Sequence, residues 1–137
     1  VADGQTLEAV IANRYEVMAN YAQELKRAVV GELERLRREG AENSMRWANM
    51  NLAKAWLHRD DDKIPHGVKP QLARAVADAP KLAQLVSMRE ELRQLWTRKS
   101  VGAEQLVADL QAWCRKAEDS GIAALQEFSF KLRAARA

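Results

Sequence analysis

Two histidines and three consecutive aspartates lie close together in the sequence, and they are the residues best suited to bind a metal. His58 precedes the run Asp60, Asp61 and Asp62, and His66 follows it. Imidazole and carboxylate groups are suitable metal ligands. Their spacing matches no standard metal-binding motif, and a charged loop after a helix end is ordinary surface chemistry. We therefore expect a solvated acidic loop and no metal site.

The single cysteine, Cys114, is the other residue with reactive potential. A cysteine nucleophile needs a histidine base held beside it, and both histidines are far away in the sequence. Cys114 follows Trp113 on an apolar helical face, which is typical of a small core residue. A lone cysteine forms no internal disulfide, so we expect a reducing compartment. Without a Gly-rich phosphate loop or a Ser/His/Asp set, we expect no catalytic and no cofactor-binding residue.

Basic residues cluster in the second half of the first predicted helix, where they could contact phosphate or anionic lipid. The cluster consists of Lys26, Arg27, Arg35, Arg37 and Arg38. Glutamates alternate with these residues, including expected ion pairs Glu32–Arg35 and Glu34–Arg38. A solvated helix face is therefore the preferred interpretation, and phosphate binding is the alternative.

Four tryptophans could form a ligand box, but aromatic residues at helical spacing more often belong to a core. These residues are Trp47, Trp56, Trp96 and Trp113. Trp96 and Trp113 fit a core, whereas Trp47 lies off the main apolar stripe and is expected to anchor an interface. The predicted interface residues are Trp47, Met50, Arg35 and Arg38.

The composition favours helices that would position these residues. The chain has 137 residues, of which 47% are hydrophobic and 30% charged, and its net charge is +3. This length fits one domain with a core of its own, so we predict a single all-α domain over residues 1–137. The mild, interleaved charge predicts no strong field for nucleic acid or membrane. No apolar run is long enough to span a membrane.

The spacing of apolar residues predicts a compact bundle of five to six helices with one long N-terminal helix. That helix should run from Leu7 to about Glu39, a length of roughly 50 Å. Its apolar stripe consists of Leu7, Ile11, Met18, Tyr21, Leu25, Val29, Leu33 and Leu36. A helix of this length outruns its neighbours in a small bundle. We therefore expect self-association as a dimer, or a packed bend at Gly31.

Breaks in the periodicity place the remaining helices. Asn43 or Ser44 should cap a second helix that runs to about His58. A short helix over residues 71–78 and a longer one starting at Pro80 follow. Breaks at residues 100–102 and 120–121 should separate the last helices.

Several stretches resemble the cytosolic C-terminal region of proteobacterial membrane fatty-acid desaturases. They are AVIANRYEVMANYAQELKRAV at 9–29, AKAWLHRDD at 53–61, and the block from Leu110 through Trp113 and Cys114 to Ile122, with Leu125 and Phe128. The resemblance implies a parent di-iron membrane enzyme that uses O₂ to insert double bonds into acyl chains. Its histidine boxes are absent from this sequence, so no metal-ligand role is carried over.

In that interpretation the chain is a non-catalytic segment on the cytoplasmic side of the membrane, soluble in itself and without a cofactor. Its partners would be a second copy, the rest of the desaturase and the electron donor, with no nucleic acid favoured. The alternative is a DNA-binding helical segment of a DDE-type insertion-sequence transposase. That family is similar in ELRQLW at 91–96, in the Ser120-Gly121-Ile122 step, and in the Val-x-Ala-x-Tyr-x-x-Glu pattern from Val17 to Glu24.

Overall fold

The computed structural model describes residues 8–97 and 102–134. Within these ranges every regular element is helical and no strand occurs, so the all-α prediction is confirmed. The α-helices are α1 (Arg14–Arg38), α2 (Met45–Trp56), α3 (Lys69–Ala77), α4 (Pro80–Leu95), α5 (Ala103–Glu118) and α6 (Ala123–Ala134). Two 3₁₀ turns, Asp61–Lys63 and His66–Val68, connect α2 to α3, and a helical segment at 8–12 precedes α1.

The chain divides into two compact units. Of the described residues, unit 1 holds 8–21, 87–97 and 102–134, whereas unit 2 holds 22–86. The first turns of α1 therefore belong to unit 1 and the remaining turns to unit 2. The expectation of one domain over the whole chain stays a prediction.

The first long helix starts later than the apolar pattern predicts, because Asn13 interrupts it. The Asn13 backbone amide donates to the carbonyl of Val10 at 3.0 Å, and its side-chain amide donates to the carbonyl of Ala9 at 3.1 Å. Side-chain hydrogen bonds of this kind compete with regular helix geometry. α1 has 25 residues, about 37 Å at 1.5 Å per residue. The interruption thus lies at Asn13, and α1 runs unbroken through Gly31.

The apolar stripe of α1 is already covered within the single chain. Its buried members are Val17, Tyr21, Leu25, Val29, Leu33 and Leu36. Val17 is buried at 5% exposure in place of the predicted Met18, and Val10 is buried in place of Ile11. The expectation of a dimer stays a prediction.

An aromatic cluster forms part of the core of unit 1. The rings of Tyr21 and Phe128 lie 4.9 Å apart, and Trp113 lies 5.9 Å from Phe128, with edge-to-face geometry in both pairs. Pairs of this kind contribute about 0.5–1.5 kcal/mol beyond the burial of their surface. The indole Nε1 of Trp113 also donates to the carbonyl of Met88 at 2.9 Å, so α5 is fixed against α4.

The connection between α5 and α6 agrees with the predicted break at residues 120–121. Gly121 has a φ of +76°, a conformation that glycine adopts without steric cost. The hydroxyl of Ser120 accepts from the amide of Ile122 at 3.1 Å and stabilises the turn. The earlier predicted break at 100–102 lies mostly outside the described residues; α5 begins at Ala103, directly after Gly102.

In unit 2, α2 and α3 pack against each other. Ser44 is the N-cap of α2, and its hydroxyl accepts from the amide of Trp47 at 3.2 Å. Pro70 lies in the first turn of α3, where no backbone donor is needed. The core side chains of these two helices are Met50, Ala53, Leu72 and Ala75. α2 ends at Trp56, slightly before the predicted end at His58.

Candidate nucleic-acid interface

Two pairs of adjacent basic residues lie on the exposed side of α1 within unit 2. The first pair is Lys26 and Arg27, the second is Arg37 and Arg38, and all four residues are exposed. Equivalent members are eleven residues apart, which is about three helical turns, or roughly 16 Å along the axis. A step of eleven residues along an α-helix is within about 20° of three full turns, so equivalent members of the two pairs point in nearly the same direction. We call these four residues the basic face.

The amphipathic pattern of α1 explains why the basic face points to solvent. The opposite side of the helix carries Leu25, Val29, Leu33 and Leu36, whose exposure does not exceed 7%. Burial of that side leaves the other side outward at 3.6 residues per turn. The apolar stripe predicted from the sequence therefore fixes the orientation of the basic residues.

The four residues of the basic face differ in their ion pairs. Among the described residues, Lys26 and Arg38 have no ion-pair partner. The Arg27 guanidinium lies 3.0 Å from Glu24, with 71% of the arginine side chain exposed. Arg37 lies 3.8 Å from Glu42, with 69% of the arginine side chain exposed. The Arg37–Glu42 pair is exposed on both sides and contributes little free energy, so Arg37 can exchange its carboxylate for a phosphate. The Glu24 side chain is only 10% exposed, so Arg27 is held more firmly than Arg37.

Arg35 differs from its neighbours because two carboxylates neutralise it. Its guanidinium lies 2.8 Å from Glu32 and 2.9 Å from Glu39. The hydrogen bond to Glu32, followed by the charge of Glu32, raises the pKa of Arg35. The expected Glu32–Arg35 pair is thus present, whereas the expected Glu34–Arg38 pair does not form among the described residues. Arg35 is less available to an outside phosphate than Arg38.

Lys26 was not among the predicted interface residues, although the sequence contains the relevant signal. Positions three and four residues away on either side hold Ala22, Gln23, Val29 and Val30, and none of these is acidic. A lysine in this setting has no helical ion-pair partner. The interface prediction selected Arg35, which has acidic neighbours at both of these spacings.

The positive charge of the chain belongs to unit 2. Residues 22–86 contain twelve Lys and Arg against nine Asp and Glu, whereas the other residues contain ten of each. The net charge of +3 is therefore carried by the unit that contains the basic face. This excess supports an anionic ligand for unit 2.

The other predicted interface residues lie on α2. Met50 is only 2% exposed and packs inside unit 2, so its side chain is not available to a partner in this conformation. Trp47 is half-buried, and Met45 at the start of the same helix is 69% exposed. A partner contact at Trp47, Arg35 or Arg38 stays a prediction.

The tryptophans are divided between the units. Trp47 and Trp56 lie in unit 2, where the guanidinium of Arg59 lies 5.1 Å from the Trp56 ring centre. Trp96 and Trp113 lie in unit 1, and the half-buried Trp96 donates its indole hydrogen to the carbonyl of Ile11 at 2.8 Å. Each of these contacts has a packing role.

The His58 to His66 loop lies in unit 2, whereas Cys114 lies in unit 1. Asp61 accepts a hydrogen bond from Lys69 at 3.2 Å. Across residues 8–97 and 102–134, no three His, Cys, Asp or Glu side chains are grouped to hold a metal ion. Cys114 is fully buried, as expected of a core residue.

In the part of the chain that the structure describes, no helix combines the length and apolarity needed to cross a bilayer.

Comparison with known proteins identifies the family. The sequence pattern of the DDE_Tnp_ISL3 family, described as Transposase, matches residues 7–137. No curated protein and no solved structure matches the chain.

This match shows that the desaturase interpretation is wrong. The lipid-metabolism role, the di-iron parent enzyme and the electron-donor partner were implied only by that resemblance, and they are withdrawn with it. The preference against nucleic acid is wrong for the same reason, because the substrate of a transposase is DNA. The alternative of an insertion-sequence transposase segment is the one that the match supports. Because the match covers nearly the whole sequence, the chain belongs to the DDE_Tnp_ISL3 family of transposases.

Proposed function

We propose that this chain is a helical, DNA-contacting part of an insertion-sequence transposase, and that the basic face of α1 binds DNA phosphates. Family membership supports DNA as the ligand. The position of the four basic residues on one exposed side of a well-packed helix supports this particular surface. The expected location at a membrane depended on the desaturase resemblance and has no support from the transposase family.

The observation that carries the proposal is the in-phase repeat of the two basic pairs. A phosphate contact requires an exposed cation that is not already neutralised, and Lys26 and Arg38 meet this condition best. Four contacts predict a slope of about −3.6 for log K against log salt, at about 0.9 per phosphate. Binding should therefore weaken roughly 100-fold between 50 and 200 mM salt.

The proposed role is binding and positioning of DNA. That the chain holds no catalytic residue stays a prediction from the sequence. Contacts to phosphate carry no sequence information, so the basic face should bind DNA of different sequences with similar affinity. Recognition of transposon ends is not assigned to this surface.

The test is the binding of a fluorescently labelled 20-base-pair duplex to the 137-residue chain, followed by anisotropy at several salt concentrations. The double variant Lys26→Gln with Arg38→Gln should raise Kd on the order of tenfold at low salt. It should also change the slope of log K against log salt from about −3.6 to about −1.8. Circular dichroism should give the same helix content for this variant and the unmodified chain.

A matched pair of single variants makes the test specific to the surface. Arg38→Gln and Arg35→Gln each remove one positive charge from the same helix. We expect Arg38→Gln to weaken binding several-fold, and Arg35→Gln to change Kd less than about twofold because its charge is already neutralised. The proposal is wrong if the unmodified chain shows no salt-dependent binding, or if both variants weaken binding equally.

A further inference from the structure

We propose that the basic face bridges one groove of duplex DNA, with Lys26 and Arg27 contacting one strand and Arg37 and Arg38 contacting the other. This inference rests on the proposed function and specifies its ligand as double-stranded DNA. The reasons lie in the spacing of the two pairs and in the residues between them.

The spacing of the basic pairs fits the wider groove. The pairs lie about 16 Å apart along α1. The major groove of B-DNA is about 12 Å wide and the minor groove about 6 Å. Lysine and arginine have long flexible stems, so two pairs separated by 16 Å can incline inward to phosphates on both edges of the major groove. The minor groove is too narrow to hold them at this separation.

The residues between the two pairs argue against a single strand lying along the helix. On the exposed side these positions hold Val30, Gly31 and Glu34, none of which is a cation. Glu34 is exposed and has no ion-pair partner among the described residues. A strand that followed α1 would place phosphates next to this carboxylate, and the like charges would repel. A strand on each side of the helix avoids that contact.

The same intervening residues allow the helix to approach the base edges. A Cβ atom added at Gly31 would meet no heavy atom within 4 Å, so the surface is open there. Val30 is 38% exposed and short.

The experiment compares duplexes in which the charge of one strand is removed. The first is an ordinary 20-base-pair DNA duplex, and the second pairs the same DNA strand with an uncharged peptide-nucleic-acid strand. A third probe is the DNA strand alone. Binding of the 137-residue chain to each probe is measured against salt concentration.

Bridging and one-strand binding predict different slopes on the half-charged duplex. A lower charge density reduces the contribution of each phosphate contact from about 0.9 to about 0.7. A helix that bridges the groove keeps only two contacts, so the slope should fall from about −3.6 to about −1.4. A helix that follows one strand keeps four contacts, so the slope should fall only to about −2.8.

Variants of one basic pair provide the internal control. On the ordinary duplex, the double variant Arg37→Gln with Arg38→Gln should change the slope of log K against log salt from about −3.6 to about −1.8. On the half-charged duplex the same variant should have less than a twofold effect on Kd, because the remaining pair can occupy the single charged strand. Circular dichroism confirms that each variant remains folded.

The outcomes separate the inference from the proposed function. A slope near −2.8 on the half-charged duplex, or binding to the single strand as tight as to the ordinary duplex, overturns groove bridging while DNA binding stands. Failure of the unmodified chain to bind any of the three probes overturns both.

Discussion

The carboxylate of Glu118 accepts a hydrogen bond of 2.7 Å from Nε of Arg133, and this ion pair joins α5 to α6. The hydroxyl of Ser129 donates to the same carboxylate oxygen. Burial alone would raise the pKa of Glu118, but the hydrogen bonds from Arg133 and Ser129 outweigh it, so the net pKa lies below its ordinary value. The ionised form of Glu118 is therefore favoured by the fold of unit 1.

Replacing Glu118 should change the pH dependence of stability. A carboxyl whose pKa is lowered in the folded state stabilises the protein above its unfolded pKa, and this contribution is lost as pH falls through the folded pKa. Glu118→Gln should lower the free energy of unfolding by about 1–2 kcal/mol at pH 7 and by less under acidic conditions. Urea unfolding followed by circular dichroism, at pH 7 and under acidic conditions, measures the difference in the free energy of unfolding between the variant and the unmodified chain. The exposed Glu127→Gln on α6 is the control, and an equal loss for Glu118→Gln at both pH values would contradict the prediction.

Truncating Phe128 should be among the costlier core substitutions in unit 1. Phe128 is 3% exposed and packs edge-to-face against Tyr21 and Trp113. Phe128→Ala should cost about 3–5 kcal/mol, because it removes buried surface and leaves a cavity. Phe130 lies two residues later on the same helix and is 59% exposed. Phe130→Ala should stay within about 0.5 kcal/mol. Thermal or urea unfolding measures both variants, and similar losses would refute the assigned packing.

Two glycine-to-alanine substitutions should have opposite signs. Gly121 has a φ of +76°, where an alanine costs about 1–2 kcal/mol. Gly31 lies inside α1 with open space where a Cβ would be, so alanine should stabilise the helix by up to about 1 kcal/mol. Differential scanning calorimetry should show a lower Tm for Gly121→Ala and a higher Tm for Gly31→Ala. Shifts in the same direction would be inconsistent with these two backbone conformations.

The start of α2 allows a test of the capping residue. The sequence analysis predicted Asn43 or Ser44 as the N-cap. In the structure the hydroxyl of Ser44 accepts a hydrogen bond from the backbone amide of Trp47. Ser44→Ala should therefore lower the free energy of unfolding by about 1 kcal/mol. Asn43→Ala, which changes an exposed neighbour, should have little effect. Chemical denaturation distinguishes the two, and a larger loss for Asn43→Ala would reverse the assignment.

Local residue chemistry was sufficient to predict much of the fold. The stripe of α1 from Tyr21 onward, the N-cap of α2 and the turn at Gly121 follow from periodicity and from the preferences of serine and glycine. The interruption at Asn13 was missed, because the apolar pattern continues across it. Its cause is a side-chain hydrogen bond to Ala9, which a count of apolar residues does not include.

The ion pairs of α1 were only partly predictable for a similar reason. Spacing alone allows Arg35 to pair with Glu32 or Glu39, and Arg38 to pair with Glu34. In the structure Arg35 takes both of its partners, and Arg38 remains exposed. Side-chain choice among several allowed partners decides whether Arg38 stays available, so spacing alone does not define its role, whereas spacing does show that Lys26 has no acidic neighbour on the helix.

The wrong family assignment has a physical explanation. The block that carried the desaturase resemblance is dominated by side chains that are buried in unit 1. These residues are Leu110, Trp113, Cys114, Leu125 and Phe128. Any pair of packed helices needs large apolar residues at this spacing. The block therefore reports on packing, and the chemistry of the parent protein cannot be read from it.

The distribution of the tryptophans gives the chain its own optical reporters. Trp47 and Trp56 belong to unit 2, and Trp96 and Trp113 belong to unit 1. Replacing both tryptophans of one unit by phenylalanine leaves tryptophan fluorescence from the other unit alone. The emission of each double variant then follows the unfolding of the unit that keeps its tryptophans. Coincident unfolding midpoints for the two variants would mean that the whole chain loses its structure in one step.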